Sequence, residues 1–190
     1  IISLCLALVL CLAMLPVNAM AATPVYVALG DSISTGYKPG TPPGKVDTPF
    51  VDAIKNMYGY SMQYCSEDGL TSEGLLNKIN SWQNLSRNAE LVTITIGGND
   101  LMNAVYDFLV QTYNTANPGK TITKEQLMAA FLEPQKNIWL LMSIISYVPQ
   151  FAGSTQASSA LSTFETNLGQ IIDTVQQNAT NATIIIANQY

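Results

Sequence analysis

The 190 residues contain no histidine. That removes the side chain proteins most often use as a general base near neutral pH and as a metal ligand. Charge is sparse as well. Only 11% of residues are charged, 8 basic against 13 acidic, for a net charge of −5. The basic residues are scattered and form no patch, which speaks against a nucleic-acid partner. Cysteine is nearly absent. Cys5 and Cys11 lie in the first, apolar stretch, and Cys65 stands alone in the rest. No intramolecular disulfide is expected in the mature chain, so the fold must rest on its core. No apolar run reaches the length that spans a bilayer comfortably.

What is present begins with a targeting segment. Ile1 to Leu15 is almost wholly apolar, Pro16 breaks the run, and Ala19-Met20-Ala21 supplies the small residues a signal peptidase reads. We expect residues 1–22 to be a signal peptide, incomplete at its N-terminus because Met and a basic region are missing. A retained membrane anchor is the competing reading. Leu10 before Cys11 does not suit a lipoprotein acceptor. Export to the cell surface or the medium follows from the leader. Residues 23–190 are long enough for one domain with a real core.

Strand and helix patterns alternate along that domain. Val25 to Leu29 is a β-rich apolar run ended by Gly30, and Leu91 to Ile96 is another, closed by Gly97-Gly98. Ser61 to Cys65 reads as a weaker strand, and Thr183-Ile184-Ile185-Ile186 as a last buried one. Helical spacing marks Thr48 to Tyr58, Leu70 to Ile79, Asn99 to about Tyr113 and Ala160 to about Gln177, with two more helical segments after a looser stretch from Asn114 to Lys124. Gly153 to Ser159 is small and polar. The order predicts an α/β fold, a parallel sheet with helices on both faces.

In such a sheet the loops at the C-terminal strand ends share one edge, where ligands bind. Three of them carry unusual residues: Gly30-Asp31-Ser32-Ile33-Ser34-Thr35-Gly36, Ser66-Glu67-Asp68-Gly69 and Gly97-Gly98-Asn99-Asp100. Each opens a helix, whose first turn presents free N–H groups. A serine on a tight strand-to-helix turn projects its hydroxyl. A glycine lets backbone approach a substrate, and an asparagine amide adds a neutral donor. That donor set suits the tetrahedral intermediate of acyl transfer.

These blocks, in this order, resemble the SGNH (GDSL-type) hydrolase family, over about Val25 to Tyr190. The resemblance implies a three-layer α/β/α, flavodoxin-like sandwich and hydrolysis of a carboxylic ester through an acyl-serine intermediate. It implies Ser32 as nucleophile and an oxyanion hole from the Ser32 N–H, the Gly69 N–H and the Asn99 side chain, with Gly74 as the fallback for Gly69. It implies no metal or organic cofactor. The substrate would be a small-molecule, lipid or glycan ester.

The family's fourth block, an Asp-x-x-His that supplies the general base and its orienting acid, has no counterpart here. A serine hydroxyl is a poor nucleophile without a base. Two readings stay open. In one, the chain continues past Tyr190 into that block. In the other, the protein is a non-catalytic glycan- or lipid-binding module on the same fold. A nucleotide-binding α/β domain is disfavoured, because the first loop lacks both Gly-x-Gly-x-x-Gly and the P-loop pattern.

Other features read as structural. Asp31 is expected to hydrogen-bond nearby backbone, and Asp100 to cap the helix that follows it. Glu67 and Asp68 read as a solvated loop, and Cys65 as a strand residue. Ile138 to Val148, the most apolar segment after the leader, reads as a core helix, or else as part of a lid or acyl groove. Asn84, Asn178 and Asn181 open N-glycosylation sequons, which matter only in a eukaryotic secretory pathway.

Overall fold

A computed structural model of the chain describes residues 22–38, 40, 44–79 and 87–187. The expected leader falls almost wholly outside them, as does the sequon at Asn84. Among the described residues the sheet has four strands, β1 (Val25–Gly30), β4 (Ser61–Ser66), β5 (Ala89–Thr95) and β6 (Thr183–Ile186), in the order β4-β1-β5-β6 with every pairing parallel. Helices α2 (Phe50–Tyr58), α3 (Ser72–Ile79), α4 (Gly98–Ala116) and α8 (Thr155–Asn178) surround it. A short turn of helix, α1 (Ser32–Thr35), follows β1, and a two-residue hairpin, β2 (Tyr37–Lys38) with β3 (Gly44–Lys45), follows that.

The two-residue period of a strand sorts side chains onto two faces. Val27 and Leu29 of β1, with Val92 and Ile94 of β5, pack against Leu75 and Ile79 of α3 and Ile171 and Val175 of α8. Tyr26 and Ala28, with Leu91, pack against Val51 of α2 on the opposite face. The Tyr26 hydroxyl meets Thr93 Oγ1 at 2.7 Å there. This is the expected three-layer α/β/α sandwich with a parallel sheet.

A second cluster lies beside the sheet. Phe108 and Leu109 of α4, Leu127 of α5 (Lys124–Leu132), Ile144 of α6 (Ile138–Ile145), Phe151 of α7 (Val148–Phe151) and Ala157 of α8 form it. Helix α5 starts at a capping box, in which the Thr123 hydroxyl and the Gln126 side chain each take the other residue's backbone N–H.

Several boundaries and environments differ from the sequence reading. The first long helix begins at Phe50, because Pro49 precedes it as N-cap. The third runs on to Ala116, into the stretch read as loose. Ser154 accepts the Ala157 N–H and starts α8 five residues early, within the segment read as small and polar. Among the described residues strand β6 lies last in the sheet and is not buried; Ile185 and Ile186 are each about half exposed. Helix α6 is not a core helix. Only Ile144 is buried, while Trp139 is 82% and Ile145 63% exposed. Among the described residues no helix is long and apolar enough to cross a membrane.

Ile94 is fully buried in a central strand. Ile94→Ala should cost about 2–5 kcal/mol of stability, read from urea or thermal unfolding. Ile185→Thr, at a half-exposed position, should change it by about 0.5 kcal/mol or less.

Candidate active site

Register brings the three loops level. Gly30 pairs with Ser66 on one side and with Thr95 on the other. Neighbouring strands lie about 4.8 Å apart, so the chain leaves β4, β1 and β5 along one edge, with the Ser32 turn between the other two loops.

The Ser32 turn is bound tightly to its neighbour. The Asp31 N–H donates to the Thr95 carbonyl at 2.9 Å and reaches Thr95 Oγ1 at 3.3 Å. Ser34 Oγ and Thr95 Oγ1 are 2.7 Å apart. Asp31, Ser34 and Thr95 are all buried. Gly30 allows this approach, since a Cβ there would lie 2.1 Å from Thr95 Oγ1. Asp31 Oδ1 accepts the Ile33 N–H at 3.0 Å and caps α1. Its role is therefore structural, as expected. Ser32, the first residue of α1, is half-buried. The first N–H groups of a helix have no acceptor within it.

The second loop is tied to the first. The Glu67 N–H donates to the Gly30 carbonyl at 3.0 Å, and the Thr35 hydroxyl donates to Asp68 Oδ1. Glu67 forms an ion pair with Lys78. Both acids thus hold the loop in place rather than simply facing water. Gly69 sits at φ +78° with nothing within 4 Å of where a Cβ would stand. Its glycine is required by backbone conformation, and the space above it is open. Gly74 lies inside α3, where its N–H goes to Thr71 Oγ1 at 3.2 Å and a Cβ would press on Leu70.

The third loop closes the network. Asn99 Nδ2 donates to the Leu70 carbonyl at 2.9 Å. An amide nitrogen carries two protons, so this bond uses one and leaves the other. Asp100 does not cap its own helix. Its carboxylate accepts from the Ser72 N–H at 2.9 Å and from Ser72 Oγ at 2.5 Å, capping α3. Asn167 of α8 donates to the same hydroxyl at 3.0 Å.

Burial pushes the Cys65 thiol above its usual range. The Tyr64 hydroxyl, which donates to the Ser34 carbonyl at 3.3 Å, is raised by burial and then by Asp68 and Asp52. Among the described residues no three His, Cys, Asp or Glu side chains group closely enough to hold a metal ion.

Two hollows adjoin the third loop. One, of about 290 Å³, lies between the Ile96–Leu101 segment, α8 and the end of β6. The other, of about 680 Å³, is open and lined mostly by residues of polar type, and shares Asp100 and Ala160 with the first. Ser32 lines neither.

The family model of GDSL-like lipases and acylhydrolases matches residues 26–189. The chain belongs to this family. No curated protein matches it significantly in sequence. Among solved structures, phospholipase A1 from Streptomyces albidoflavus is similar at 21% identity and a TM-score of 0.47, covering 87% of this chain and 59% of that one. An extracellular lipase from Streptomyces rimosus is similar at 16% identity and a TM-score of 0.46, covering 86% and 59%. A lipase from a goat rumen metagenome is similar at 18% and 0.40, covering 88% and 81%. The chain thus spans about three fifths of the first two. The family assignment rests on the family model alone.

In this GDSL-like chain, sequence reasoning missed Thr95, Ser34 and Thr35. The available signal was a threonine at the end of an otherwise apolar strand, since a buried hydroxyl needs a partner.

Thr95→Val keeps the shape and leaves the buried Ser34 hydroxyl without that partner. It should cost about 1–3 kcal/mol, measured by urea unfolding; a loss under about 0.5 kcal/mol contradicts the tie. Cys65 should resist iodoacetamide at pH 8 in the native protein and react once unfolded, read by peptide mapping.

Proposed function

We propose that this chain carries the nucleophile and oxyanion donors of an exported serine hydrolase acting on carboxylic esters. Ser32 Oγ attacks the ester carbonyl carbon. The serine proton passes to a base and then to the leaving alcohol as the C–OR bond breaks. Water repeats the sequence on the acyl-serine and releases the acid. The Ser32 N–H, the Gly69 N–H and the second Asn99 proton receive the oxyanion. The observation that carries this reading is the hydrogen-bonded chain from Asp31–Thr95 through Thr35–Asp68 to Asn99–Leu70. It fastens three donor-bearing loops to one another. Preorganised donors of this kind supply much of the stabilisation in acyl transfer.

The base cannot come from these 190 residues as an imidazole, because they hold no histidine. An imidazole base of the Asp-x-x-His kind would have to come from outside these residues. The leader at residues 1–22 supports export. A glycan- or lipid-binding module without turnover is the reading that remains if no base is encoded.

In the full gene product, Ser32→Ala should abolish turnover of p-nitrophenyl esters. Asn99→Ala should lower kcat by about 10²-fold or more with a smaller effect on KM. An unchanged kcat removes Asn99 from the site. The pH profile of kcat/KM should rise through about pH 6.5 as an imidazole loses its proton. The sign follows from the mechanism: the protonated base cannot accept from Ser32, so activity falls on the acid side. A profile flat from pH 5 to 8 contradicts an imidazole base.

A further inference from the structure

Helix α8 touches two of the three loops at once. Phe164 lies against the third, where a Cβ on Gly97 would come within 2.7 Å of its ring. Asn167, one turn on, donates from Nδ2 to Ser72 Oγ at 3.0 Å, just past the second. Ser72 opens α3 three residues after Gly69 and is fully buried. Its N–H and its hydroxyl both go to the Asp100 carboxylate, at 2.9 and 2.5 Å. Asp100 follows Asn99 directly. We infer that Ser72 and Asn167 are positioning residues, which act through Asp100 to hold the Asn99 amide at a fixed place beside the Gly69 N–H. The inference rests on those two groups being oxyanion donors.

Three features carry it. The first is direction. A carboxylate only accepts, so the serine proton points at Asp100 and the Asn167 amide donates to the serine oxygen. No member can reverse its role without losing a bond. The second is that this bridge runs beside a direct one. Asn99 Nδ2 donates to the Leu70 carbonyl at 2.9 Å, so the consecutive residues Asn99 and Asp100 grip Leu70 and Ser72. One hydrogen bond would let the Asn99 side chain turn about it. Two anchor points on each segment fix both the spacing and the aim of the remaining amide proton. The third is the footing of α8. Ile171 and Val175, on the helix face that carries Phe164 and Asn167, are fully buried against the sheet. Such placement matters, because moving a group by about 1 Å costs about 10²-fold in rate.

The test is kcat and KM for p-nitrophenyl acetate on the full gene product. Ser72→Ala and Asn167→Ala should each lower kcat about fivefold or more and move KM less than about twofold. Asn167 is half-buried and borders an open hollow, so its variant keeps the fold where the buried Ser72 variant loses it; circular dichroism and a cooperative melt check this. Asn167→Asp, equal in size but without the donor, should behave as Asn167→Ala does. The same change is then made in Asn99→Ala. With the amide gone the bridge has nothing left to aim, so the kcat loss from Asn167→Ala should shrink to less than about twofold. A merely structural role would lower kcat equally in both backgrounds, and that result overturns the bridge. If Asn99→Ala lowers kcat and a folded Asn167→Ala does not, the bridge fails and the oxyanion reading stands. If Asn99→Ala leaves kcat unchanged, that reading fails and takes the bridge with it.

Discussion

The turn that carries Ser32 is fastened to the sheet at Thr95. One residue accepts the Asp31 N–H and pairs with the Ser34 hydroxyl, and it does so inside a layer closed to water. Each such bond contributes about 1 kcal/mol net, but leaving one of these groups unpaired there costs more. The turn therefore has few alternatives to its observed path. The arrangement depends in turn on Gly30, which gives Thr95 room to approach, and on a parallel register that sets Gly30, Ser66 and Thr95 side by side.

From that point the constraint spreads outward through polar contacts rather than apolar ones. Thr35 holds Asp68, Asn99 holds the Leu70 carbonyl, and Asp100 holds Ser72, which Asn167 also holds. The edge of the sheet is thus a hydrogen-bonded rim on an apolar base. Helix α4 joins the two regions. Its first turn belongs to the rim, while Phe108 and Leu109, two to three turns on, belong to the second cluster under α5, α6 and α7.

Local pattern carried the architecture well. β1 and β5 are apolar, β-branched and stopped by glycine, and those traits follow from lying in the middle of a parallel sheet. The GDSL blocks were legible for a related reason: the backbone there requires glycine at a fixed place. What was not legible depends on neighbours. β6 has the same Thr-Ile-Ile-Ile character as an inner strand, yet it lies last in the sheet of the described residues, with Ile185 and Ile186 about half exposed. Helix α6 is as apolar as a core helix, yet it covers a side cluster and leaves Trp139 in solvent. Asp100 has the place of a cap for its own helix and caps α3 instead, 28 residues away in sequence. No window of sequence contains both partners of such a bond.

The central proposal is that Ser32 is a nucleophile held ready by this rim and activated by an imidazole from outside these 190 residues. A fluorophosphonate probe labels only an activated serine, so labelling mapped to a single residue tests it most directly. The full gene product should label stoichiometrically at Ser32. The 190-residue chain, first shown by circular dichroism and a cooperative melt to be folded, should not. Rapid labelling of Ser32 in the folded 190-residue chain, or none in the full product, would contradict the account.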